Sequence, residues 1–113
     1  MEAAAFEHKL RTEQLEGVGL RAERITMVGG PTESPIWPQI VAEVSGLPLR
    51  LINGQTAGAM GAALLAAVGC GLFRDARQAF AAMGGRARSI EPDEEGIRAY
   101  EALYRRFRSR FGK

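Results

Sequence analysis

Two short apolar segments with a helix-length segment between them constrain the fold of this chain more than any other feature. Residues 24–28 are rich in large or β-branched side chains and stop at Gly29 and Gly30, and residues 47–52 are a second such run. Short apolar runs that are bounded by turn residues predict β-strands. Because a crossover helix fits between them, the two strands are expected to pair in parallel as a β-α-β unit.

Helices are predicted for most of the remaining chain. The first covers residues 2–16, where apolar side chains recur at helical spacing. The crossover helix is predicted to begin at Ser34 and Pro35, because a serine side chain accepts free amide N–H groups and proline suits the first helical position. Gly46 marks its end. Three more helices are expected at residues 57–68, 75–83 and 97–111, with a loop over residues 84–92.

Two of these helices carry patterns that predict burial. Residues 57–73 are uncharged, but alanine and glycine dominate them, so a closely packed buried helix is favoured over a membrane span. In the last helix, aromatic residues at positions 100, 104, 107 and 111 recur at spacings of three and four. This stripe predicts buried aromatic rings, with the neighbouring arginines facing solvent.

The predicted order is helix, strand, helix, strand and then three helices. It describes a helix-rich α/β arrangement with two parallel strands and flanking helices. Parallel sheets usually have more strands and are covered on both faces. The sequence therefore predicts part of a larger domain, and the exposed apolar surface of its small sheet should favour self-association.

Charge and cysteine content argue against several kinds of partner. The 15 basic and 13 acidic residues are too balanced for the sequence-independent phosphate attraction of a nucleic-acid binder. One cysteine and one histidine provide neither an intrachain disulfide nor a zinc cluster. Cys70 is expected to be a buried, inert thiol. The single cysteine fits a reducing cytoplasm, and the first residues lack a basic and apolar leader, so the chain is expected in the cytoplasm. No membrane, metal or nucleic-acid partner is expected.

Residues 27–34 carry the strongest indication of chemistry, because they combine a strand end, a glycine turn and a helix start. Glycines let the backbone approach a ligand closely, and free N–H groups at a helix N-terminus favour an anion such as phosphate. From spacing alone, an ordinary βα turn with a serine cap is the stronger interpretation. The segment is neither a Rossmann fingerprint nor a Walker P-loop, since the glycine spacing and the lysine are missing.

A family resemblance makes the nucleotide interpretation specific. The run ITMVGGPTESPIWPQIVAEVSGLPL resembles the adenosine-motif region of FGGY carbohydrate kinases, in which an S-P-x-W-x-Q-I helix follows the glycine turn. Further along, GQTAGAMGAALLAAVGCGLF is similar to the family's second glycine-alanine helix. The resemblance extends to both ends of the chain, EAAAFEHKLRTEQLEGVGL and IEPDEEGIRAYEALYRRFRSRF, and it is of the xylulokinase kind.

The resemblance implies an actin-like ATPase fold of two ribonuclease H-like domains. Residues 1–113 would be the C-terminal part of the nucleotide-side domain, with the N-terminal sugar-binding domain absent. It also implies an adenine nucleotide whose phosphates and ribose lie along Gly29 and Gly30. The residues implied to stand near the adenine are Thr32, Glu33 and Ser34.

The chain departs from the family pattern at two positions. Pro31 stands where a third glycine is frequent, and it removes one amide donor. Gln55 stands where many relatives carry an acidic residue. At the turn itself, a β-branched residue in place of Gly30 is expected to fill space that the phosphates need and to resist a positive φ.

The resemblance implies a segment of an ATP-dependent sugar kinase, which transfers a phosphoryl group from ATP to a ketopentose such as xylulose, or to a related sugar or polyol. In this family the aspartate base, the phosphate-binding turns and the Mg²⁺ site come from upstream, so no catalytic residue and no metal ligand is predicted here. The chain alone is expected to be inactive, and the sugar to bind only through the N-terminal half. The alternative is a non-catalytic fragment that acts as an interaction module or as the partner of a separate N-terminal chain.

Overall fold

A computed structural model describes residues 1–52, 57–84 and 86–111 of the chain. The predicted helix, strand, helix, strand order is confirmed, while the expected turn at Asn53 and Gly54, and Gln55, lie outside the described residues. A four-residue 3₁₀ turn, Gly30–Glu33, follows the first strand. The helices and strands in chain order are α1 Glu2–Gly17, β1 Ile25–Val28, α2 Trp37–Ser45, β2 Leu49–Ile52, α3 Ala57–Gly69, α4 Ala76–Met83, β3 Ala87–Ile90 and α5 Glu94–Phe111.

The sheet has three strands in the order β1-β2-β3. As predicted, β1 and β2 are parallel, and their register runs from Ile25 opposite Leu49 to Val28 opposite Ile52. The predicted loop over residues 84–92 is wrong, because β3 forms within it and pairs antiparallel with β2. The sequence of β3, ARSI, has no apolar alternation, so its strand conformation comes from the pairing partner rather than from an intrinsic pattern.

Helix α2 begins later than predicted, at Trp37 instead of Pro35, because the 3₁₀ turn and a short bend occupy the intervening residues. The Ser34 hydroxyl oxygen accepts a hydrogen bond from the Trp37 amide at 3.1 Å, as expected of a serine at a helix start, but the N-cap residue is Ile36. The helix ends at Gly46, whose φ of 70° is left-handed and whose amide donates to the Ala42 carbonyl at 2.8 Å.

The core lies between the sheet and a layer of three helices, in which α2 packs on β2 and β3 while α1 and α5 pack on α2. Leu49 and Leu51 point inward from β2 and Arg50 points outward, which is the alternation of a strand with one buried face. Phe6 of α1 packs against three aromatic rings of α5, with the Phe107 ring centroid at 5.4 Å. The buried core residues are Ala5, Phe6, Val41, Ala42, Val44, Leu49, Leu51 and Tyr104.

The aromatic stripe of α5 is therefore only partly buried. Tyr104 is buried and Tyr100 and Phe107 are partly buried, as the spacing predicts, but Phe111 at the end of the helix is exposed. Arg105 and Arg108 beside the stripe are exposed, which agrees with the solvent-facing prediction for the arginines.

The prediction of a closely packed, buried α3 is wrong for this chain. The helix packs mainly on α4; only Ala67 is buried, and Leu65 is 69% exposed. Cys70, just beyond the helix, is also exposed rather than buried. The radius of gyration of 17.0 Å exceeds the value of about 13 Å expected for a compact domain of this length. No helix within the described ranges is long and apolar enough to cross a membrane.

Candidate nucleotide-binding turn

The glycine turn lies where ligands usually bind in α/β sheets. Because β1 and β2 are parallel and in register, Val28 and Ile52 end at the same edge of the sheet. The turn follows β1 directly, and β3 begins beside Ile52 with Ala87 as its partner. Crevices outside the carboxyl ends of strands are the general ligand sites of open α/β sheets. The glycine turn therefore lies at the edge of the sheet where a ligand site is expected.

The two glycines of the turn have different conformations. Gly29 has φ 102° and ψ −176°, a combination that is essentially restricted to glycine. Gly30 does not have a positive φ, and a Cβ atom built on it would have no heavy atom within 4 Å among the described residues. The expectation that a side chain at Gly30 would resist a positive φ is thus wrong, because the residue with the positive φ is Gly29. Space beside the Gly30 backbone is open.

Thr32 closes the turn from inside. Its amide donates to the Gly29 carbonyl oxygen at 3.0 Å, and its hydroxyl donates to the same oxygen at 2.7 Å. The residue is 5% exposed. Its hydroxyl proton is therefore committed to the backbone, and Thr32 stabilises the shape of the turn.

The start of α2 offers few free donors to an anion. Ser34 occupies the Trp37 amide, and Pro38, next in the chain, has no amide hydrogen. Pro31 likewise lacks a donor within the 3₁₀ turn. The helix N-terminus therefore offers an anion less than the motif alone indicates, and the glycine backbone is the better candidate for contact with the phosphates.

A cleft of about 290 Å³ opens beside the 3₁₀ turn, between it and the first residues of β3. It brings Thr32 and Glu33 together with Arg86 and Arg88, which belong to the segment 84–92 that the sequence predicts as a loop. Gly29, Gly30 and Ser34 are not part of its lining. The full lining is Thr32, Glu33, Leu51, Ile52, Arg86, Ala87 and Arg88. Arg86 and Arg88 are two residues apart, a spacing that places both side chains on one face of a strand. This spacing points to a shared site only once β3 is known to be a strand.

A larger groove of about 450 Å³ follows β1 on the other side of the turn. Strand β1 lies at the edge of the described sheet, and the groove runs between it, α1 and the start of α2. Pro31 and Trp37 line the end of the groove nearest the turn. The remaining lining residues are His8, Arg11, Thr12, Leu15, Ile25, Thr26, Met27, Val28 and Val41.

One polar cluster joins α1 to α5. The Tyr104 hydroxyl donates to the Glu13 carboxylate at 2.8 Å, Arg108 lies 3.3 Å from the same carboxylate, and the Lys9 ammonium stands 4.7 Å from the centre of the Tyr104 ring. Burial, with help from the hydrogen bond to Glu13, raises the pKa of Tyr104 to about 12. None of these residues lines the cleft or the groove, so the cluster is a connection between helices.

Residues 1–70 match the FGGY family of carbohydrate kinases, C-terminal domain. The match contains the glycine turn, both parallel strands and α3. The chain belongs to this family, and the resemblance inferred from its motifs is confirmed.

Individual relatives agree with this assignment. The chain is similar to the ribulokinase of Mycolicibacterium smegmatis, with 38% identity over 105 residues, which is 92% of this chain and 19% of that protein. It is 29% identical over 106 residues to the L-xylulose/3-keto-L-gulonate kinase of Escherichia coli strain K12, covering 94% of this chain and 21% of that protein.

The fold agrees as well. The crystal structure of xylulose kinase from Rhodospirillum rubrum superposes with a TM-score of 0.74 and 29% identity, covering 98% of this chain and 22% of that one. The partial ribonuclease H-like, actin-like ATPase architecture is thereby confirmed, with three strands in a mixed sheet instead of two parallel ones. The chain spans about a fifth of the length of these relatives.

Proposed function

We propose that this chain is the nucleotide-side segment of an ATP-dependent sugar kinase and that it contributes the contacts to the adenosine part of ATP. The observation that carries the proposal is the Gly29-Gly30 turn at the carboxyl end of a parallel strand pair, in a chain of the FGGY family. In this assignment residues 1–113 are the C-terminal part of the nucleotide-side domain, and the sugar-binding domain is a separate, N-terminal part.

Each residue of the turn has a physical role in this proposal. Gly29 supplies the backbone conformation, and the open space beside Gly30 lets phosphates and ribose approach the main chain. Thr32 holds the turn closed, Ser34 fixes the beginning of α2, and Glu33 lines the cleft in which the adenine would lie. In this proposal these groups bind and orient the nucleotide, and the base for the sugar hydroxyl comes from the N-terminal part of the enzyme.

The bound groups would supply the remaining chemistry. ATP provides the γ-phosphoryl group, and Mg²⁺ neutralises the charge of its phosphates. The Mg²⁺ ligands are proposed in the N-terminal part of the enzyme, as the family resemblance implies. Positioning and charge stabilisation dominate phosphoryl transfer, so the chain alone should not turn over.

The proposed acceptor is a ketopentose such as xylulose, or a related sugar or polyol. This proposal rests on the names of the relatives, which are a ribulokinase, an L-xylulose/3-keto-L-gulonate kinase and a xylulose kinase. In the proposed enzyme the sugar binds through the N-terminal half. We place the protein in the cytoplasm, where ATP is available.

The alternative is a non-catalytic chain that acts as an interaction module or pairs with a separate N-terminal kinase chain. The groove along β1 and the exposed α3 support it, because both are apolar surfaces that a folded partner would cover. An N-terminal kinase segment is the proposed partner, since the relatives are about five times longer than this chain. A second copy of this chain is the competing occupant.

An NMR titration with ADP tests the nucleotide proposal. One glycine turn and one cleft provide few of the contacts of a complete site, so the affinity should be in the millimolar range, about −4 kcal/mol. Amide shifts should cluster between Gly29 and Trp37. Gly30→Val should abolish them, because its side chain would fill the open space beside the backbone, and the amide spectrum of the variant checks that the fold is kept.

The matched control is Gly17→Val, since Gly17 also has open space around its Cβ position but lies at the end of α1. Its titration should equal that of the wild type. Equal shifts in Gly30→Val and wild type, or no shifts near the turn at saturating ADP, would leave the turn as a βα connection.

A further inference from the structure

Strand β3 and the residue before it add two arginine side chains to the lining of the cleft. Arg86 and Arg88 line it opposite Thr32 and Glu33, and both arginines are exposed. The antiparallel pairing of β3 with β2 produces this arrangement, since it sets the first residue of β3, Ala87, opposite Ile52 at the carboxyl end of β2.

We propose that Arg86 and Arg88 form the wall of an adenine-binding cleft, in which their guanidinium planes stack on the base. This inference rests on the proposed function, because it adds Arg86 and Arg88 to the adenine-binding part of the same nucleotide site. A guanidinium group is planar and weakly hydrated, so it stacks on aromatic rings more readily than an ammonium group does.

Three observations favour the base over the phosphates as the occupant of this cleft. Glu33 lines it, and a carboxylate repels a phosphate but can accept a hydrogen bond from the 6-amino group of adenine. Gly29 and Gly30, which are proposed beside the phosphates, are not part of its lining.

The third observation is the size and the remaining surface of the cleft. Its volume of about 290 Å³ is at the lower end of ligand pockets, roughly 300 Å³ and above, which suits a base and part of a ribose better than a whole nucleotide. Leu51, Ile52 and Ala87 complete the lining. Leu51 is buried in the core, so Ile52 and Ala87 supply the apolar part of a lining that is otherwise polar.

The test compares adenosine with ADP on the 113-residue chain by NMR titration. In the double variant Arg86→Gln and Arg88→Gln, the affinity for both ligands should fall by the same factor, roughly fivefold or more for two exposed cation–π contacts. The variant Arg86→Lys and Arg88→Lys keeps the charge but loses the planar groups, so it should show a similar loss for both ligands.

The matched control is Arg106→Gln with Arg110→Gln on α5, which removes the same charge from residues that do not line the cleft. It should bind both ligands as the wild type does. The amide spectrum of each variant checks that the fold is unchanged.

Several outcomes would overturn the inference. If the glutamine variant weakens ADP but not adenosine, or if the lysine variant binds as the wild type does, the arginines act through charge on the phosphates. If the glutamine variant binds both ligands as the wild type does, the arginines do not contact the nucleotide, and the proposed role of the turn is unaffected. If the wild type itself binds no adenine nucleotide, the proposed function fails, and the adenine cleft fails with it.

Discussion

The hydrogen bond between Tyr104 and Glu13 should stabilise this chain more than an exposed ion pair of the same length. The Tyr104 hydroxyl and the Glu13 carboxylate are 2.8 Å apart, and Tyr104 is 4% exposed. Arg105 and Glu101 are 2.7 Å apart, but their side chains are 75% and 51% exposed. Burial, not distance, therefore distinguishes the two interactions.

The magnitude follows from the environment of each pair. A hydrogen bond to a charged acceptor contributes about 1.5–3 kcal/mol, and the Glu13 side chain is still 30% exposed, so the lower part of that range applies. An exposed i,i+4 pair contributes about 0.3–0.5 kcal/mol. The coupling free energy should be about 1–2 kcal/mol for Tyr104–Glu13 and below about 0.5 kcal/mol for Arg105–Glu101.

Two double-mutant cycles measure these couplings by urea unfolding at neutral pH, with Tyr104→Phe and Glu13→Ala in one and Arg105→Ala and Glu101→Ala in the other. Glu13→Gln, which keeps an acceptor but removes the charge, should retain part of the coupling. Equal coupling in the two cycles would refute the reasoning that burial decides the free energy.

The pH dependence gives an independent reading of the same contact. The pKa of Tyr104 is raised from 10.0 to about 12 in the folded chain. A raised folded pKa means that the stabilisation is fully present below about pH 10 and is lost as the pH rises toward 12. The difference in unfolding free energy between wild type and Tyr104→Phe should therefore shrink across this interval. A constant difference would contradict the assignment.

Two further substitutions test the core and a helix cap. Leu49 is 0% exposed, so Leu49→Ala should lower the free energy of unfolding in urea by about 2–5 kcal/mol. Leu65→Ala on the exposed face of α3 should change the free energy of unfolding by less than about 0.5 kcal/mol. A similar loss for both variants would show that α3 is covered in solution. Asp75→Ala removes the carboxylate that accepts a hydrogen bond from the Gln78 amide at 2.8 Å. Amide hydrogen exchange in α4 should accelerate by roughly tenfold, corresponding to about 1 kcal/mol, whereas Asp75→Asn keeps an acceptor and should exchange as the wild type does. Equal exchange rates in Asp75→Ala and wild type would show that Asp75 does not cap α4.

Local patterns predicted most of the fold because most elements are specified by their own residues. The apolar runs that become β1 and β2 carry their strand signal directly, and Gly46 ends α2 where the sequence indicates. The sequence does not predict β3, because ARSI has no apolar alternation and is exposed up to Ile90, so that only its pairing with β2 makes it a strand. The burial of α3 was wrong because an apolar composition predicts that a helix can be covered, not that a neighbour is present.

The candidate site was predictable to the level of the turn but not to the level of its atoms. A pair of adjacent glycines does not reveal which of them takes a positive φ, and in the structure it is Gly29. The use of the Thr32 hydroxyl inside the turn and the reach of Arg86 and Arg88 into the cleft depend on tertiary contacts. Sequence motifs identified the turn as a candidate site, while packing determined which groups line the cleft beside it.

The position of the turn between the two cavities suggests how one nucleotide site could be shared between two parts of a kinase. Thr32 and Glu33 line the cleft on the β3 side, and Pro31 lines the groove on the β1 side. β3 is an exposed edge with two arginines nearby, which disfavours further strand pairing, whereas Ile25 and Met27 of β1 are partly buried beside an apolar groove. Of the two edges of the described sheet, the β1 edge is therefore the one that suits the proposed N-terminal partner. In that arrangement the proposed partner would meet the turn from the groove side, at Pro31, and the cleft on the β3 side would belong to this chain.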